Sequence, residues 1–193
     1  MTVPATLDPT ATIVGGSHYL FVAPFGTALP TDVGASAGDA LNAAFAHCGY
    51  TSDSGSSFKV DTQSTDLYAS QAYDPIRTII QSRKATITAP LIEWNAASIV
   101  AAFGGGTITA TTNGAKYEPP TAGTIEEVSA VLDIVDGDEL TRIVIERAIV
   151  VGSVEGTFSK SAFATLPITL NALAPVTLDS AWFLVGTNAA LIA

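Results

Sequence analysis

The sequence predicts a mainly β protein, a β-sandwich or partial barrel with one or two short α-helices on its flank. Three stretches carry that prediction. Ala85, Ile87, Ala89 and Leu91 alternate with the polar Lys84, Thr86 and Thr88, the period of two that turns one strand face into a core. A second stretch, around Asp136-Gly137, reads as a tight hairpin. In the third, Ala162, Ala164, Leu166, Ile168, Leu170 and Ala172 alternate with Thr165, Thr169 and Asn171. Strands thus outnumber the helical patterns, and no internal repeat or heptad run intervenes.

Residues 1–17 mix small polar and β-branched side chains with two prolines and show no core period, so they are expected to form an extended N-terminal arm. A first strand follows over residues 18–23 and stops at Pro24. Residues 25–37 carry Gly26, Pro30, Asp32 and Gly34 and read as a loop. Asp39 is placed to cap a short helix through Ala40, Leu41, Ala44 and Phe45, ending at Gly49. The Ser-, Thr- and Asp-rich residues 50–75 are too long and too polar for a plain connection, and a projecting hairpin is the favoured reading over a binding loop.

After the strand ending at Leu91, the period changes to that of a helix, with Ala96, Ile99, Val100 and Phe103 on one stripe. Asn95 is its expected cap and Gly104 its expected stop. Gly105 and Gly106 free the chain for a short strand from Thr107. Asn113-Gly114 signals a tight turn, and Pro119-Pro120 ends the excursion.

Placing Asp136-Gly137 at a two-residue turn sets Leu132 opposite Thr141, Ala130 opposite Ile143 and Val128 opposite Ile145. On the other face Glu127 then opposes Glu146, with Asp133 and Arg142 on the same surface, while Glu126 pairs with Arg147. Two glutamates facing each other need open solvent or a nearby cation. Beyond Val150, Gly152 and Gly156 imply a bulge or bend. Pro167 lies on the polar face of the long alternating strand and is expected at an edge or bulge. A last strand over residues 182–185 leads into a second candidate arm, 186–193. Residues 1–193 are expected to form one domain.

The formal net charge is -10, from 18 acidic and 8 basic residues. An acidic surface repels phosphates over about one Debye length, roughly 8 to 10 Å, which disfavours nucleic-acid binding. With 48% hydrophobic residues and no apolar run as long as a membrane span, the surplus apolar surface is expected to meet other protein rather than lipid. The single Cys48 permits no intrachain disulfide, and the polar, proline-bearing start is not expected to be a signal peptide, so a cytosolic origin is expected.

Chemistry is hard to place on this chain. His18 and His47 are the only histidines, neither lies beside a G-x-S-x-G serine, and both, with Cys48, read as packing residues. Asp136-Gly137-Asp138-Glu139 lacks the twelve-residue calcium-loop pattern. Gly104-Gly105-Gly106 precedes a strand and is a hinge, not a phosphate loop. No catalytic residue, metal ligand or cofactor is expected.

Six blocks together carry a resemblance: FVAPFGTALPTD from Phe21, ALNAAFAHCGYTSDSG from Ala40, the block that opens with IRTI at Ile76 and continues as PLIEWNAASIVAAFGGGTIT from Pro90, YEPP from Tyr117, DGDELTRIVIERA from Asp136 and FSKSAFATLPITLNAL from Phe158. Their order and spacing resemble the major tail tube proteins of long-tailed, non-contractile phages of actinobacteria. The resemblance implies a β-sandwich that assembles into hexameric rings, stacked into a hollow tube through which the genome leaves. It also implies tape-measure, tail terminator and distal tail proteins as partners, a place in the virion after assembly in the host cytoplasm, and passage of DNA without specific binding. Under that implication Glu127, Asp133 and Glu146 are candidates for lining an acidic bore, since a wide aqueous passage tolerates unpaired like charge. The alternative is a monomeric Ig-like capsid-decoration or adhesion module.

Overall fold

The computed structural model describes residues 12–121, 124–152, 154–156 and 158–187. The arm expected over residues 1–17 lies mostly outside them, as does most of the arm expected over 186–193. Ten strands and one helix follow in chain order among the described residues: β1 (Ser17–Pro24), β2 (Ala46–His47), β3 (Ser57–Leu67), β4 (Arg77–Leu91), α1 (Ala96–Ala102), β5 (Thr107–Thr111), β6 (Gly114–Glu118), β7 (Val128–Asp136), β8 (Glu139–Val150), β9 (Leu166–Ala172) and β10 (Trp182–Gly186). Eight strands form one antiparallel sheet in the order β2-β1-β7-β8-β9-β4-β3, with β10 also on β8. The remaining two, β5 and β6, form a separate hairpin.

The shape follows from how the far edge of β8 is divided. Residues 141–145 pair with β10, and residues 148–150 pair with β9. The sheet therefore splits along β8, and β9-β4-β3 folds back over the face of β1-β7-β8. Leu20, Leu132, Ile143 and Ile145 from one half meet Ile87, Leu91, Leu166, Ile168 and Leu170 from the other in a single apolar core, with Ala101 and Ala102 of α1 at its margin. The alternation of residues 85–91 is matched residue for residue, the odd positions buried and the even ones half-exposed.

The opposite face of β1-β7-β8 is covered as well. Phe21, Ala23, Val131 and Val144 are roofed by Phe45, Leu29 and Leu41 from the segment between β1 and β2. No helix forms in that segment, contrary to the pattern of residues 40–45. Asp39 accepts the Ser36 N–H at 3.0 Å, so its side chain closes a turn behind it instead of capping ahead, and Ala40 takes a positive φ of 59°. Leu41 and Phe45 serve the sheet beneath, and tertiary packing overrides helix propensity.

Other local expectations shift for identifiable reasons. The β7-β8 turn has Gly137-Asp138 at its centre, with Asp136 facing Glu139, and Gly137 supplies the positive φ of 60° that a turn with glycine first requires. Leu132 therefore faces Ile143 and Ala130 faces Ile145, two residues from the expected register. An irregularity between Val128 and Ala130 then sets Val128 opposite Ala148. The slip is even, so the apolar faces still coincide. Likewise Thr111 faces Gly114, which centres the β5-β6 turn on Thr112-Asn113. Pro167 sits at a local edge, with a partner strand on one side only. It faces Pro90, a ladder position where neither ring has an N–H to give, and the β8-β9 ladder has ended at Leu170.

Helix α1 is capped as expected: Asn95 accepts the Ser98 N–H at 2.8 Å and Ser98 Oγ accepts the Asn95 N–H at 2.9 Å. Its buried side is Ser98, Ala101 and Ala102 rather than the expected stripe, and Phe103 is exposed against Tyr117, ring centres 5.5 Å apart. Past the helix, Gly106 has φ 103°, and a Cβ there would stand 2.5 Å from the Glu118 carbonyl oxygen. Gly106→Ala is expected to cost about 1–2 kcal/mol or more, read as a lowered denaturation midpoint.

Candidate functional site

The three acids expected to share an open charged surface are each engaged inside the chain. Asp133 and Arg142 face each other across β7 and β8, both wholly buried. Arg142 donates from Nε to Asp133 Oδ1 at 2.7 Å, from Nη2 to Oδ2 at 2.8 Å, and from Nη1 to the Asp32 carbonyl at 2.8 Å. Asp133 also accepts the Gly38 N–H at 2.8 Å. The pair thus ties the 32–38 loop to the sheet, a fork-to-fork contact that arginine geometry favours.

Glu146 is buried on the same side of the sheet and holds the 176–178 segment. Its carboxylate accepts the Thr177 N–H and hydroxyl, each at 2.8 Å, the Leu178 N–H at 3.1 Å and the Val176 N–H at 3.2 Å. Burial pushes this carboxyl up, but those four donors together outweigh it and leave it below its ordinary value. A carboxylate held low stabilises the fold above its unfolded value and loses that contribution as the pH falls through its folded one. The loss therefore falls below pH 4.5. Between about pH 3 and 5, unfolding free energy is expected to vary less steeply in Glu146→Gln than in the parent, followed by Trp182 fluorescence.

Glu127 is bidentate to Arg147, with Nε donating at 2.7 Å, and the guanidinium lies 5.6 Å over the Phe25 ring. The Arg147 hydrogen bonds hold this carboxyl below its ordinary value against a smaller opposing effect of burial. Arg147 therefore pairs with Glu127 and not with Glu126. Glu127 and Glu146 do not oppose each other, because the register slip and the irregularity at Val128 separate them. Asp133 and Glu146 are buried and satisfied within the subunit rather than open to solvent. Glu127, about a third exposed, is charge-balanced. Nothing in the sequence distinguished a buried ion pair from a solvated one except the register.

Among the described residues, no group of three His, Cys, Asp or Glu could hold a metal. Cys48 is fully buried, and burial pushes its thiol up to about 12, an inert packing group. His47 sits on β2 between Tyr19 and Phe21, ring centres 5.7 and 5.0 Å away.

The surface out of keeping with a solitary globule is the hairpin of β3 and the first half of β4. From Lys59 to Leu67 and from Arg77 to Lys84 every residue is exposed, on both faces. The nine residues from Lys59 to Leu67, eight steps of about 3.3 Å, give an arm of roughly 25 Å. Val60, Leu67, Tyr68, Tyr73, Ile76, Ile79 and Ile80 all face solvent. The arm also leaves the outer edge of β3 unpaired, since β3 ends the strand order. An isolated two-stranded ribbon is marginal in water, so this much apolar surface is built to be covered. Within it, Gln63 faces Ser82 while Ser64 faces Ile80, leaving Gln81 as the extra residue of a bulge.

Charge separates the arm from the rest. Residues 57–84 hold four of the eight basic side chains and three acids, so the remainder carries four basic against fifteen acidic. Three of those four, Lys116, Arg142 and Arg147, are already paired.

A family model described as phage tail tube protein matches residues 5–191. The chain belongs to that family. No curated protein matches the sequence. A tail tube protein is a structural, non-enzymatic component of the virion's tail, which sets aside the monomeric decoration module. Its functional surface is therefore the one that joins copies. The exposed arm and open β3 edge are the most prominent exposed features among the described residues.

Proposed function

We propose that copies of this chain form hexameric rings that stack into the tube of a long-tailed, non-contractile phage of actinobacteria, a conduit for the genome. The observation that carries this is the doubly exposed, apolar-studded arm with its unpaired edge, a surface that only further protein can complete. A contact between unlike patches closes into a ring or propagates as a filament, and a stacked tube uses both. Tape-measure, terminator and distal tail proteins are the expected partners at its ends.

Duplex DNA carries one charge per about 1.7 Å, so repeated cationic contacts along a tube would hold it back. Outside the arm the charge is fifteen acidic to four basic residues, with two arginines neutralised internally. A body surface turned to the bore draws on that acidic excess, with Lys116 and Lys160 as its exposed cations. The conduit's negative character rests on that excess rather than on Glu127, Asp133 and Glu146. Negative-stain microscopy of the concentrated, purified chain is expected to show rings or tubes about one subunit thick. Discrete monomers under the same conditions would remove the reading.

A further inference from the structure

We propose that the tip of the arm, Ile76 and Arg77, seats in an apolar groove between α1 and β2 of a second copy, with Arg77 against Glu126 of that copy; the proposal rests on the assembly reading above. The groove encloses about 200 Å³ and is lined largely by short apolar side chains, among them Ala44, Ala46, Ala97 and Val100. That exceeds the roughly 150 Å³ of an apolar cavity able to take a benzene ring, so a branched aliphatic side chain fits. Glu126 stands at its rim and makes no side-chain hydrogen bond or ion pair among the described residues. Its neighbour Glu127 is already held by Arg147.

The arm tip supplies the complement. Ile76 is 65% exposed and directly precedes Arg77, whose guanidinium has no acidic partner among the described residues. An apolar side chain beside a free cation matches an apolar groove beside a free carboxylate. The apolar contact gains from the exclusion of water, and the opposite charges fix partner and register.

The chain's own tip cannot supply this contact. Ile76 immediately precedes β4 and α1 follows it, so the two ends of a fifteen-residue strand separate them. At about 3.3 Å per residue that is roughly 45 Å, and the β3-β4 ladder holds the strand extended. The occupant must come from another copy, and the contact joins opposite ends of the molecule, a heterologous arrangement that propagates unless rotation closes it.

The test is disulfide trapping between two singly substituted chains, Ile76→Cys and Ala97→Cys. Cys48 is fully buried with its thiol pushed up to about 12 and does not compete. Mixed and oxidised with copper phenanthroline, these chains are expected to form the 76–97 hetero-disulfide about tenfold faster than Ile76→Cys mixed with Thr109→Cys, an exposed site on β5 away from the groove. Adding Arg77→Glu to the first chain is expected to slow the link about tenfold, and adding Glu126→Arg to the second to restore it. Equal rates for the two pairings, or indifference to the charge swap, would overturn the proposal. The same samples are imaged. Tubes without the 76–97 link remove this contact and keep the ring reading, whereas neither tubes nor link removes both.

Discussion

Asp133→Ala is expected to destabilise the protein by about 3–5 kcal/mol, because it strands a buried guanidinium. Arg142 is wholly buried, and two of its three hydrogen bonds go to Asp133. The substitution also orphans the Gly38 N–H and loosens the 32–38 loop over Phe21. The double variant Asp133→Leu with Arg142→Met is expected to recover most of the loss, since replacing both partners by apolar groups removes the desolvation penalty along with the attraction. Urea unfolding of the parent and both variants measures this. A change under about 0.5 kcal/mol for Asp133→Ala, the size usual for a surface position, would mean that the pair is solvated.

The second large effect is expected on assembly rather than stability. Ile79 and Ile80 lie in the arm, 41% and 59% exposed, and touch none of the core. Replacing both by aspartate is expected to leave the unfolding free energy within about 0.5 kcal/mol of the parent. It is also expected to abolish rings and tubes, because two carboxylates must then be desolvated wherever the arm docks. Sedimentation and microscopy at matched concentration read the outcome. Tubes in normal yield from the double aspartate variant would show that the arm's apolar side chains stay in water after assembly.

The strands were legible where one face alone is buried. Residues 85–91 and 166–172 keep a clean alternation because β4 and β9 have one face in the core and the other half-open. β7 and β8 are covered on both faces, so polar side chains among them are loop anchors rather than a wet surface. Sequence pattern cannot tell those apart, and that is why it presents Asp133, Glu127 and Glu146 as open charge. The two-residue register slip decided the matter. It rests on which two residues occupy the turn and on one irregularity near Val128, neither visible in composition. The helix expected at residues 40–45 failed for a related reason: its apolar residues roof the sheet singly, and Asp39 is committed to Ser36.

The extra residue Gln81 has a mechanical consequence. Because Gln63 and Ser64 already face Ser82 and Ile80, deleting Gln81 would leave every ladder partner in place. It would remove only the local bend and added twist that such an insertion imposes. The shortened chain would fold with the same core, the same pairings and the same side chains on its tip, yet aim that tip elsewhere. The bulge lies midway along the arm, so a small change of angle there swings the outer half, roughly 10 Å of ladder beyond Ser64 together with the 68–76 turn, to a different place. A single insertion therefore sets where the tip of the arm points.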